Sequence, residues 1–244
     1  MDTNTDANMN ALYDYIFKRK SIRKYNSEPL SKEMLDKIKA RIPEIRALYS
    51  NIKTEIGIVS SVKGHLKASA PYYFLFFSEE KEGAYENIGF IGEQLSLWLT
   101  SLGIGTCWQG AAKPDHKADT GLPFITAMSF GQPEGSAFRE AGEFKRKSLA
   151  DVSEGSDPRL EAARLAPSGM NSQNWHFICD SGNIHVYRKK VNPVTGIIYN
   201  KMNSIDIGIA VSHLYLAGRS DRFSFEKLRN YPERKGFIYM GTVK

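Results

Sequence analysis

Ala166-Pro167-Ser168-Gly169-Met170-Asn171-Ser172-Gln173-Asn174-Trp175 lies between a short amphipathic helix and an apolar run, Trp175–Cys179, that reads as a strand. Pro167 ends the helix, because the residue before a proline is pushed out of the right-handed helical region. Ser168, Asn171 and Gln173 then project a hydroxyl and two amides from one short loop. Amides both donate and accept, so such a loop suits the oxygen- and nitrogen-rich edge of a planar heterocycle. By itself it also describes any polar connection between a helix and a strand, so its neighbours must decide.

Upstream, Asp157 caps a helix over 158–166, with Pro158 in its first turn. Downstream, the turn at 180–183 leads into a strand over 184–188, a long apolar helix over 204–219 and a final strand over 236–243. The first half runs to a similar plan. Leu12, Tyr13, Ile16 and Phe17 mark one face of a helix over 11–20. Ser31 caps a second helix with Leu35, Ile38 and Ile42 on its apolar stripe, stopped before Pro43. Residues 44–67 read as a helix and then an exposed connection. Residues 71–77 are apolar throughout, as in a strand buried on both faces. A helix over 86–102, stopped by Gly103, precedes strand-like runs at 104–110 and 124–131. Ile91-Gly92 against Ile207-Gly208 gives an offset of 116 (208 − 92), and Gly131 against Gly241 gives 110 (241 − 131). The expectation is an α+β fold of two degenerate repeats: residues 11–131, a Gly- and Ser-rich linker over 132–156, and residues 157–244.

Composition excludes several classes. The net charge of +6 (33 − 27) comes from scattered basic residues, without the aromatic or zinc-finger patterns of nucleic-acid binders. No apolar run is long enough to cross a bilayer. Residues 1–10 are polar and acidic, so they read as a disordered lead-in and not as a secretory signal. Cys107 and Cys179 are the only cysteines, which fits a reducing cytoplasm. The five histidines show no tight metal spacing, and neither a P-loop nor a Gly-x-Gly-x-x-Gly follows a strand.

Three features remain. Arg19, Ser21 and Arg23 share one face if the segment is extended, so two guanidinium forks and a hydroxyl can converge on one phosphate. Arg146 offers a further cation. Gly103 and Gly105, flanking Ile104, let a backbone come close to a ligand. Together with the amide-rich loop, these would suit a phosphorylated, planar, partly polar cofactor such as FMN.

The same residues resemble the nitroreductase family of flavoproteins. Arg19-Lys20-Ser21-Ile22-Arg23-Lys24-Tyr25 is similar to its RRSIRxF signature. Residues 102–110 are similar to LGLGTCWxG, residues 167–175 to PSxxNxQPW, and Arg146-Lys147-Ser148-Leu149 to a late RxPLEE-type segment. In ordinary members PSxxN follows RRSIRxF closely, and FMN sits at a homodimer interface. Here that slot, residues 42–56, lacks the motif, which appears only after Gly155. The chain therefore resembles a tandem subgroup in which one chain imitates the dimer and keeps one flavin site.

The resemblance implies that Arg19, Ser21, Arg23 and Arg146 hold the FMN phosphate and ribityl tail. Pro167, Ser168, Asn171 and Gln173 address the ring from the other half, and Gly103, Ile104 and Gly105 lie near flavin N5. It implies ping-pong transfer from NAD(P)H to nitroaromatics, quinones or activated alkenes, with no separate catalytic residue. The partners implied are small molecules, not nucleic acid or membrane, and the chain is a pseudo-dimeric monomer open to further association. The rival reading is an FMN carrier or sensor without turnover.

Overall fold

The computed structural model describes residues 12–64, 68–116, 119–140, 142–192, 196–219 and 222–244; the expected lead-in at 1–10 lies outside them. A short helix over 12–16 (α1) precedes α2 (Lys32–Arg41), whose N-cap Ser31 accepts a bond from the Met34 N–H at 3.2 Å. The first half then supplies β1 (Thr54–Val59), β2 (Val62–Lys63), β3 (Tyr72–Ser78), α3 (Ala84–Ser101), β4 (Gly105–Gln109), β5 (Lys113–Pro114) and β6 (Phe124–Gly131). The second supplies α4 (Leu149–Val152), β7 (Ser153–Glu154), α5 (Leu160–Arg164), β8 (Trp175–Asp180), β9 (Asn183–Lys189), α6 (Gly196–Gly218), β10 (Phe225–Glu226) and β11 (Phe237–Val243).

The two main sheets share a connectivity. The first has the order β1-β3-β6-β4 and the second β8-β9-β11-β10, with β7 added beside β8 in parallel. In each, a hairpin is followed by a long helix, a strand for the outer edge, and a last strand inserted between that edge and the hairpin.

Three sequence expectations need correction. Residues 54–59 form an edge strand, where a helix and connection were expected. Its Ile56 and Ile58 lie on one face, but Glu55 and Gly57 dilute the strand pattern and every residue is only half-buried. Helix α6 begins at Gly196 and not near 204, because Asn200, Lys201 and Asn203 mask its first turns as loop-like sequence. The segment over 132–156 is not a simple linker. It bonds back to residues 18–26 through Asn26 N–H to Gln132 O, Glu134 N–H to Lys24 O and Arg139 N–H to Lys18 O. It also contributes α4 and β7.

Helices α3 and α6 cross at the centre and are buried on nearly every side. Their crossing is set by two glycines. A Cβ on Gly208 would lie 1.9 Å from Glu86 O, and one on Gly89 would lie 2.1 Å from Ile205 O. The contacts are reciprocal, and each member on α6 follows its counterpart on α3 by 119 positions (208 − 89 and 205 − 86). Gly92, which the sequence pairs with Gly208, instead makes room for Trp108.

A helix buried all round can carry polar residues only where each finds a partner. On α3, Asn87 Oδ1 accepts from the Leu48 and Tyr49 N–H groups at 2.8 and 3.0 Å. Gln94 donates to Arg46 O at 2.9 Å. On α6, Asp206 accepts from Gly169 N–H, and His213 Nδ1 meets Ala162 O at 2.8 Å. The central helices thus clamp the loops around them, including the one at 168–173.

Candidate functional site

Arg19 follows α1 and is 2% exposed. Residues 19–25 run along the free edge of β4: Ser21 bridges Thr106, and Ile22 N–H donates to Thr106 O at 2.9 Å. Thr106 is in turn fixed from below by Ser96, hydroxyl to hydroxyl at 2.6 Å. On its other side the segment is bridged by Phe138 opposite Arg19 and by Pro133 opposite Tyr25. The extended conformation that the i, i+2, i+4 pattern requires is therefore imposed from both flanks.

The arginines do not converge as the spacing suggested. Arg19 points inward, with Nε 3.5 Å from the fully buried Glu93 of α3 and Nη1 buried without a hydrogen-bond partner among the described residues. Burial raises the pKa of the Cys107 thiol behind this segment, while Arg23, Arg19 and Ser21 pull it down. Arg23 is exposed. Arg146 comes from the opposite side and donates from Nη1 to Asn171 Oδ1 at 2.7 Å and from Nε to Ala166 O at 3.1 Å. Burial, with the charges of Arg19 and Arg139 beside it, pushes the Arg146 guanidinium down to about 10. The cations brought together are Arg19, Arg146 and Arg139.

Glu93, which the sequence reading passed over, is the carboxylate beneath this group. Its Oε1 meets Arg19 and His213 Nε2 at 3.5 and 3.1 Å, and its Oε2 accepts from Trp108 Nε1 at 3.3 Å. The interruption of an apolar helix by Ile91-Gly92-Glu93-Gln94-Leu95 was the available signal. Its partners come from 15 to 120 positions away, so sequence spacing could not name them.

The 168–173 loop is held in a conformation that L-residues adopt reluctantly, with φ of +54° at Met170, +56° at Asn171 and +49° at Gln173. Gln173 holds it from within: its Oε1 accepts from Lys147 N–H at 2.7 Å, and its Nε2 donates to Asn171 O at 3.1 Å. Both ends are used, and the side chain is buried. Asn171 has one Nδ2 hydrogen on Lys145 O at 2.9 Å and a second to give. Ser168 Oγ accepts from Gln173 N–H at 3.0 Å and keeps its own hydrogen. Pro167 precedes the loop, as its role in ending α5 requires.

Gly103 and Gly105 serve the fold directly. Gly103, at φ +75°, ends α3 while Ile104 N–H reaches back to Leu99 O at 2.9 Å. Ile104 is buried in the core, and a Cβ on Gly105 would meet the Ile22 side chain at 2.6 Å. The close approach at Gly105 is made by the chain's own segment, where a ligand had been expected.

Asp206 is 3% exposed, and among the described residues the only hydrogen-bond donor to its carboxylate is Gly169 N–H, at 3.0 and 3.2 Å to its two oxygens. Burial raises it from 3.8 to about 7. Between those values the unfolded chain releases a proton that the folded chain keeps. Stability therefore falls as pH rises across that window, by up to about 4 kcal/mol. Asp206→Asn keeps an acceptor for Gly169 and removes the charge. We expect urea midpoints of this variant to match the parent near pH 4 and exceed it at pH 8. Parallel pH profiles for the two proteins would refute the assignment.

Among the described residues there is no group of three or more His, Cys, Asp or Glu side chains able to hold a metal ion, and no helix long and apolar enough to cross a membrane. The model of a family described as "Putative TM nitroreductase" matches residues 11–218. A solved structure from Thermotoga maritima, described as a "putative nitroreductase", superposes with a TM-score of 0.66 at 23% identity, covering 95% of this chain and 91% of that one. A nitroreductase family protein of Clostridium difficile is 16% identical, with 58% and 94% of the two chains covered and a TM-score of 0.46. An FMN-dependent nitroreductase of the same species is 18% identical, with 54% and 93% covered and a TM-score of 0.42. Comparison with curated proteins finds no match. The family model covers the chain as far as the end of α6, with every residue of the arginine and amide cluster, and the chain belongs to the nitroreductase family.

Proposed function

We propose that this protein is an FMN-dependent NAD(P)H oxidoreductase whose single flavin site lies between the two halves of one chain. The observation that carries the reading is the buried Arg19 Nη1, without a partner among the described residues, close to the Arg146 that reaches Asn171 of the other half. Burying a guanidinium hydrogen-bond donor unpaired is costly, and a phosphate would satisfy it. The residues present therefore fit the group.

Bound FMN would supply two-electron chemistry, accepting hydride from NAD(P)H and passing reducing equivalents to a nitroaromatic, quinone or activated alkene. Arg19 and Arg146 hold the phosphate from opposite sides. The free hydroxyl hydrogen of Ser168 and the second amide hydrogen of Asn171 orient the ring, with Gln173 keeping that loop in shape. Met202 lies beside both Gly169 and Gly110.

The pseudo-dimer is part of the same proposal. Its support is the shared strand connectivity of the two sheets, the reciprocal glycine contacts 119 positions apart, and the clamps made by Asn87 and Asp206, again 119 apart (206 − 87). One chain then supplies both sides of the site, and a second copy is not required.

The test is titration of the purified protein with FMN, followed by anaerobic addition of NADH or NADPH. The expected result is one flavin per chain, bleached by the nucleotide and recoloured by a quinone. Binding without bleaching would make the protein a flavin carrier or sensor, and failure to bind FMN would remove the proposal altogether.

A further inference from the structure

We infer that Arg139 completes the phosphate site, in the position that the Arg-x-Ser-x-Arg spacing would assign to Arg23. The inference rests on the FMN reading above and deepens it. Arg139 lies outside every motif that suggested the cofactor.

Its backbone is fixed beside Arg19 by the Arg139 N–H bond to Lys18 O at 2.6 Å and by the bridge between Phe138 and Arg19. Its guanidinium stacks on Phe144 at 4.4 Å, and the Arg146 guanidinium lies 5.9 Å from the same ring. Phe144 thus gathers the two side chains against one apolar surface. Arg139 Nη1 donates to Glu143 O at 2.8 Å, whereas its Nε is buried without a partner among the described residues. Arg139 also feels the charge of Arg19, and its own charge acts on Arg146. Three mutually repelling guanidiniums, two of them with an unused buried nitrogen and only Glu93 fully buried among them, form a site for a multiply charged anion.

Arg23 stands apart. It is exposed, and its charge registers at Cys107 and Tyr25. The segment at 132–139, held against residues 18–26, has brought a different arginine to the cluster.

The experiment compares FMN with riboflavin, which has the same ring and no phosphate, by quenching of flavin fluorescence. Arg139→Gln is expected to weaken FMN binding by about 10- to 100-fold, the usual worth of a charge-assisted contact, while riboflavin affinity stays within about 2-fold. Arg23→Gln is expected to change FMN binding by less than about 3-fold, as exposed charges generally do. Retained riboflavin binding also shows that the Arg139 variant is folded. FMN affinity unchanged in Arg139→Gln, or lost in parallel with riboflavin affinity, would overturn the inference.

A second arm uses inorganic phosphate and thermal unfolding, with no flavin present. Phosphate should raise the Tm of the parent and not of Arg139→Gln. Should the parent fail to bind FMN yet show this difference, the flavin reading falls and the anion site at Arg139 stands. Equal phosphate shifts in both proteins would count against Arg139 whatever the flavin result.

Discussion

Gly208→Ala is expected to destabilise the protein by about 3 kcal/mol or more, and Gly89→Ala by a comparable amount. The methyl group added at position 208 would sit 1.9 Å from Glu86 O, 2.7 Å from Glu86 C and 2.9 Å from Glu86 Cα. All three are main-chain atoms of α3, so no rotamer change can relieve the overlap, and α3 and α6 must move apart. The opposing effect is the better helix propensity of alanine, about 1 kcal/mol. Sterics should win, because the crossing lies at the centre of the core. Gly218→Ala is the control within the same helix. Its Cβ would find Arg159 Cδ at 3.6 Å, an ordinary contact, and its stability should change by less than about 1 kcal/mol. Urea unfolding of the three variants measures this directly. A parent-like midpoint for Gly208→Ala would mean that the helices are farther apart than described.

Glu93→Ala is the second large effect, expected at about 3–5 kcal/mol. The substitution removes the carboxylate that faces Arg19, His213 and Trp108 and leaves the Arg19 guanidinium buried with no counter-ion among the described residues. His213 adds to the cost. Its Nδ1 faces a carbonyl and must carry a hydrogen, so the contact of Nε2 with Glu93 depends on one further proton between them. Glu93→Gln keeps the volume and, with its oxygen in the Oε1 position, an acceptor for Arg19, while its amide nitrogen then faces the Trp108 N–H; its loss should be smaller than that of the Ala variant. Phosphate or FMN brings a replacement anion to the same arginine. The Tm gained on adding either should therefore be larger in Glu93→Ala than in the parent. A parent-like urea midpoint for Glu93→Ala would show that Glu93 is not the charge that balances Arg19.

Much of the architecture was legible without coordinates. Residues 71–77 announce a buried strand by unbroken apolar sequence and 124–131 by a largely apolar one, and Ser31 and Gly103 mark helix ends through chemistry carried by single residues. The same holds for the amide-rich loop, where Pro167 and the polar run define a connection between two packed elements. Residues 54–59 were not legible, because a half-buried edge strand needs only a weak apolar pattern. The first turns of α6 were hidden for a related reason: polar residues there find partners that sequence does not show, as Asn203 does in Asn174.

The sequence by itself determined which residue types were available to the site: a basic segment at 19–23, a later Arg146 and the loop at 168–173. It did so because phosphate and heterocycle recognition depend on local donor and acceptor chemistry. Only the tertiary structure decided which of them meet. It turned Arg19 inward onto Glu93, left Arg23 in solvent, used both ends of Gln173 as an internal strut, and brought Arg139 beside Arg19 and Arg146. The physical reason is that a buried charge must be balanced by neighbours in space. Those neighbours lie on α3, α6 and the 132–139 segment, up to 120 positions away along the chain.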